Sequence, residues 1–137
     1  MMIPAKPKSG VVAALMTALT LSPCAAHAQS AAHFSPFFRF TEQGGEQLFV
    51  NVCQGCHMPD ASGASGAGTY PSLAANKNLE AGGYPVYVVV NGQRAMPPFG
   101  FMMSDDQVAA VVNYLRTHFG NDYKDAVTAE DVRVVRP

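Results

Sequence analysis

The strongest pattern of apolar and polar positions lies between Ser104 and Gly120. Val108, Val111, Val112, Leu115 and Phe119 recur at helical spacing and share one face. Ser104 and Gln107 stand where a capping box would start that helix. Asp105 and Asp106 fall in its first turn, and Arg116 and His118 in its last, each sign at the end the helix dipole favours. Gly120 stops it. Residues 84–90 are harder to read. The run of valines favours a strand. Pro85 suits the first position of a helix and Gly92 its C-terminal cap, so a short helix is predicted. A third helix is predicted over 41–52, with Thr41 as N-cap, Glu42 in the first turn, and Gly45 and Phe49 on one face. Residues 60–69 are rich in Gly, Ala and Ser and read as a loop. Thr128 with Asp131 is placed to start one more short turn. Every element is helical, so the fold class is all-α with three to five short helices.

The N-terminal end follows a different pattern. Lys6 and Lys8 precede an apolar run from Val11 to Leu21, then the small-x-small site Ala26-His27-Ala28. These are the parts of a secretory signal peptide over 1–28. An eleven-residue run is too short to cross ~30 Å of hydrocarbon, so no stable membrane span is expected. Cys24 raises the alternative of a lipid anchor, but Pro23 stands where such signals want a small residue. Cleavage after Ala28 leaves 109 residues, a net charge of −3, and Cys53 and Cys56 as the remaining cysteines. The expected location is periplasmic. Residues 29–40 form an arm carrying Phe34, Phe37, Phe38 and Phe40. Residues 41–120 form the domain, and 121–137 a C-terminal tail.

Composition narrows the function classes. The 137 residues carry a net charge of −1, with 14% charged and 48% apolar residues. A near-neutral chain lacks the basic face a nucleic-acid binder needs. The apolar content is enough for one packed core. About 109 residues without a tryptophan make a small domain, which gains from a metal, a staple or a cofactor.

The candidate chemistry lies in Cys53-Gln54-Gly55-Cys56-His57. Two thiols three apart can each add to one vinyl group of a haem, and the adjacent histidine then stands beneath the iron. The string reads as a c-type haem attachment site. Two alternatives compete. A dithiol redox pair needs a βαβ setting that the helical pattern lacks. A zinc site needs a second ligand pair, and His33 and His118 lie far from the motif and from each other.

With these residues in place, the chain resembles a class I cytochrome c over about 44–120. Gly45 and Phe49 resemble the helix-contact pair, Cys53 to His57 the haem site, and Pro71 with Leu73 the segment behind the proximal histidine. Met96-Pro97 resembles the axial-ligand loop, and Tyr114-Leu115 lies in the C-terminal helix. The resemblance implies one covalently attached haem c, held through Cys53 and Cys56 with His57 as proximal iron ligand. It also implies that the Pro71 carbonyl accepts a hydrogen bond from His57 and that Leu73 packs on the haem.

For the distal position the mature chain offers Met58, Met96, Met102 and Met103. Met58 adjoins His57 and cannot reach the opposite haem face. Met103 precedes the N-cap Ser104 and suits a hydrophobic staple with Val108. Met96 sits in a loop stiffened by Pro97 and Pro98 and is the expected ligand. Met102, Met103 or an open site are the alternatives. Arg94 either pairs with a haem propionate or is simply solvated.

A His/Met iron has no open position, which leaves outer-sphere electron transfer rather than catalysis. The strings 91–97, 118–121 and 127–132 resemble cytochrome subunits of bacterial periplasmic dehydrogenases. A flavo-, quino- or molybdo-dehydrogenase is therefore the expected electron donor, with a downstream cytochrome or oxidase as acceptor. A free shuttle to an oxidase is the runner-up, and a haem enzyme with an open sixth site a third reading.

Overall fold

The computed structural model describes residues 39–66 and 68–137. The leader expected over 1–28 and the arm residues 29–38, with His33, lie outside the described residues. The first helical stretch is built from three pieces: α1 (Gly45–Leu48), a π-helical stretch (Phe49–Cys53) and α2 (Gln54–His57). A two-stranded hairpin follows, β1 (Ala64–Ser65) antiparallel to β2 (Thr69–Tyr70). A 3₁₀ turn (Lys77–Leu79) leads into α3 (Gly83–Asn91), then α4 (Asp105–Thr117) and α5 (Ala129–Arg133).

The expected α4 and α3 are present. Ser104 caps α4 in a complete capping box with Gln107. Met103 before it is buried, as is Val108, the two ends of the predicted staple. Gly92 ends α3, its N–H bonded to Val88 O.

The helix predicted over 41–52 starts later and runs on through the cysteine motif. The cause is Gln107. Its Nε2 donates to Phe40 O at 2.9 Å and Glu42 O at 2.7 Å, holding 40–42 as a non-helical lead-in. Gly44, with φ −87° and ψ 143°, then takes the N-cap place expected of Thr41. Phe40 also donates its N–H to Met102 O and packs its ring 6.2 Å from Phe99. It therefore belongs to the domain, not to the arm. The hairpin at 64–70 departs from the loop reading of 60–69 because two-residue strands leave no alternating pattern to detect.

α1 and α4 cross at very short range. A Cβ on Gly45 would lie 2.2 Å from Ala110 O and 2.7 Å from Tyr114 Cβ. Four residues on, Phe49 packs its ring 5.8 Å from Tyr114 and 4.8 Å from Phe119. Leu48, Val86, Val108, Val111, Val112 and Val132 fill the interior behind this crossing.

Residues 121–137 are packed on the domain. The Asn113 amide makes paired bonds to the Val127 backbone, both at 2.8 Å. Val127 and Val132 are buried, and α5 lies against α3 and α4. Arg136 reaches Asp105, Gly100 O and Met103 O.

Arg116, placed in the last turn where the helix dipole favours a positive charge, is 1% exposed. Its Nε donates to Leu79 O and its Nη2 to Glu80 O, each at 2.8 Å. It also binds the carboxylate and the carbonyl of Asp125. The guanidinium thus stitches the 3₁₀ turn and the last segment to α4. The last helical turn is where the apolar face meets the returning chain, so a residue that closes a dipole on paper closes a three-way joint in space.

Two predictions follow from this packing. Gly45→Ala should destabilise the domain by about 2–3 kcal/mol, because a backbone oxygen cannot yield the missing space; denaturant unfolding measures it. The second concerns Asp125, whose carboxyl Arg116 holds below the usual aspartate range. A lowered folded pKa stabilises above the unfolded pKa, and that contribution is lost as pH falls through the folded one. Asp125→Asn should therefore melt below wild type at pH 7, and the gap should close as pH drops past the ordinary aspartate range.

Candidate functional site

The site is built where the first helical stretch ends. The π-helical stretch closes with the Gln54 N–H bonded to Phe49 O, one residue more than an α-helix uses. Cys53, Cys56 and His57 follow within one continuous run. Cys53 packs against the core, while Cys56 is exposed. Burial, with the neighbouring Cys56, pushes the Cys53 thiol up to about 12. Reactive dithiols have lowered values, so this thiol does not suit disulfide exchange. Among the described residues no group of three His, Cys, Asp or Glu side chains could hold a metal ion, so the second pair of a zinc site is not found there.

Met58 breaks the helix. Its φ of 67° and ψ of 156° lie in a region that side chains rarely occupy. The chain then doubles back: Ala61 N–H bonds Met58 O, and Gly63 N–H bonds His57 O, both at 3.0 Å. Ala61 is fully buried, and its carbonyl accepts from Leu73 N at 2.8 Å and Ala74 N at 3.1 Å. This brings the 71–74 segment beside His57.

His57 is buried, and its Nδ1 lies 3.0 Å from Pro71 O. A carbonyl only accepts, so Nδ1 carries the proton and donates. Nε2 then holds the ring's free lone pair, and no hydrogen bond to it is formed among the described residues.

Met96 lies in a loop seated on the C-terminus of α3. Gln93 and Met96 exchange backbone hydrogen bonds at 3.0 and 2.9 Å. Phe99 N–H and Gly100 N–H bond Val89 O and Val90 O, which end α3. Gly92, at φ +73°, lets the loop approach: a Cβ there would lie 2.7 Å from Met96 O and 2.8 Å from Pro98 N. Leu73, Met96 and Phe99 are half-buried against the core cluster. Met103 is 2% exposed, Met58 and Met102 half-buried. Arg94 is exposed at φ 54° and makes no ion pair among the described residues. His118 stacks on Tyr114 at 4.1 Å, away from the motif in the sequence and exposed.

A proton-free imidazole nitrogen, two thiols three apart and half-buried apolar side chains are a donor set that fits a covalent haem. Sequence reasoning missed two features of this site. One is the seat that Gly92 provides for the Met96 loop. The other is Asn121, whose amide bonds Leu73 O and Asn76 N at 2.8 Å. A glycine after a helix and an asparagine after a glycine each have a local explanation, so neither signals a long-range role.

A family model described as cytochrome c oxidase, cbb3-type, subunit III matches residues 41–115. The chain is similar to a gluconate 2-dehydrogenase cytochrome c subunit of Pantoea cypripedii, 35% identical over 69% of this chain and 24% of that protein. It is similar to cytochrome c6 of Diacronema lutheri, 35% identical over 56% of this chain and 94% of that protein. A fructose dehydrogenase cytochrome subunit of Gluconobacter japonicus is 30% identical over 98% of this chain and 30% of its own length. The chain thus spans about a quarter to a third of the dehydrogenase subunits it matches. No helix among the described residues is long and apolar enough to cross a membrane. With its helical fold and small hairpin, the chain belongs to the cytochrome c family, class I in fold, and the covalent haem c of that family is matched here by the spacing of Cys53 and Cys56.

Proposed function

We propose that this chain is a periplasmic electron carrier with one low-spin haem c, held by His57 and Met96. The observation that carries the reading is the His57 ring. One nitrogen is committed to Pro71 O, which leaves the other for iron in a fixed tautomer. Bound haem c supplies a one-electron couple. The chain's residues tune and shelter it. Pro71 O makes the His57 ring a more basic donor. Met96 offers a thioether, which favours the reduced state. Leu73 and Phe99 are half-buried apolar side chains that would shelter the iron from water. With His57 and Met96 both holding the iron, the chain would transfer electrons and do no catalysis of its own.

The donor we favour is a dehydrogenase, of flavo-, quino- or molybdo- type, with the electron passed on to a cytochrome or oxidase of the respiratory chain. The support is the 35% identity to a gluconate dehydrogenase cytochrome subunit over 69% of this chain. A free shuttle is the second reading, favoured by the near-complete coverage of cytochrome c6. Residues 1–28 are the export signal in either case.

Met96→Ala should abolish the sulfur-to-iron charge-transfer band and lower the reduction potential while haem stays attached. Met103→Leu is the control; its buried staple role predicts a stability change below about 1.5 kcal/mol and an unchanged band. If Met103→Leu removes the band instead, Met96 is not the ligand. Deleting 29–38 separates the two donor readings. A resident subunit should co-elute with dehydrogenase activity from a periplasmic extract and lose that association on deletion, with the haem spectrum intact. A free carrier should elute alone at its own mass whether or not the arm is present.

A further inference from the structure

Asn121 is 6% exposed, and both ends of its amide are used. Oδ1 accepts from Asn76 N–H at 2.8 Å. Nδ2 donates to Leu73 O and Leu115 O at 2.8 Å and to His118 O at 3.0 Å. Two of these contacts belong to the end of α4. The other two reach 48 and 45 residues back, to the segment just after Pro71. Phe119 O adds a bond from Ala75 N at 3.0 Å.

Leu73 is thereby held at both of its backbone groups. Its N–H bonds Ala61 O, and its C=O takes the Asn121 amide. Pro71 lies two residues before it, with a fixed φ and no N–H of its own. With Leu73 held and the Pro71 φ locked, only the Pro71 ψ and the Ser72 torsions remain to turn the Pro71 carbonyl away from His57.

We infer that Asn121 is a positioning residue: through Leu73 and Asn76 it holds the Pro71 carbonyl on His57 Nδ1, and so sets how strongly the His57 ring donates to iron. The inference rests on the reading of His57 as the proximal ligand. A firm N–H···O bond makes the imidazole more electron-rich, and a more basic ligand favours the oxidised metal. Loosening the segment weakens that bond and favours the reduced form.

The test uses the holoprotein and a matched pair of variants. Asn113 makes the same kind of paired backbone bonds as Asn121, but to Val127, remote in sequence from the 71–76 segment. Asn121→Ala and Asn113→Ala should both lower the melting temperature. Asn121→Ala alone should move the reduction potential positive and speed exchange of the His57 Nδ1 proton about tenfold, read by NMR. Equal behaviour of the two variants in both readouts would reduce Asn121 to a structural bond and overturn the inference. If Asn121→Ala fails to fold, the wild type decides. The Asn76 amide and the His57 Nδ1 proton should then exchange through one opening with the same denaturant dependence, and unequal dependence overturns the inference. His57→Ala is read separately. A six-coordinate low-spin spectrum that survives it overturns the ligand reading and the inference with it, whereas failure of the Asn121 comparison alone leaves the ligand reading standing.

Discussion

Two helix backbones meet where only a hydrogen atom fits between them. At Gly45 the first helical stretch lies so close to α4 that a single methyl group would sit on Ala110 O. Much else is placed by that contact. It sets the height at which Phe49 meets Tyr114 and Phe119, and it aims the run that ends in Cys53, Cys56 and His57. It also fixes α4, from whose far end Arg116 and Asn121 reach the rest of the chain. A small domain cannot afford many apolar layers, and here the crossing of two short helices is the frame on which loops are hung.

Those loops are secured by buried polar groups rather than by more hydrophobic surface. Arg116 binds three carbonyls and a carboxylate, and Asn121 three carbonyls and an N–H. Backbone groups in irregular segments must find partners when buried, and side chains at a helix terminus can supply several at once. Among the described residues, no buried side-chain nitrogen or oxygen lacks a partner. The arrangement leaves apolar surface half-exposed at Leu73, Met96 and Phe99.

What was legible in the sequence is what local physics writes locally. Ser104 with Gln107, Thr128 with Asp131, and the valines of α4 announce their roles within one or two turns. Pro85 and Gly92 outweigh the strand preference of the valines between them, and α3 is a helix. The features that escaped depend on partners far along the chain. Thr41 looks like an N-cap until Gln107 takes the carbonyls on either side of it. Arg116 looks like a dipole partner until the returning chain covers it. The cysteine motif and Met96 stand out as residue types, but the segments that seat them do not. Ala61, Gly92 and Asn121 are ordinary residues whose work is done by a backbone group, an absent side chain and an amide.

The π-helical stretch bears on how this chain can change its length. It holds one residue more per closed ring than the helix on either side. Removing one residue from 50–52 would let the run close as a regular α-helix, at no cost in hydrogen bonds. The extra residue is taken up inside the wider turn, so the two ends of the run would keep nearly the same relative direction. Gly45 would still face Ala110, and the cysteines and His57 would keep their aim. The wider turn is therefore a reserve of chain length, set between the helix crossing and the cysteine motif.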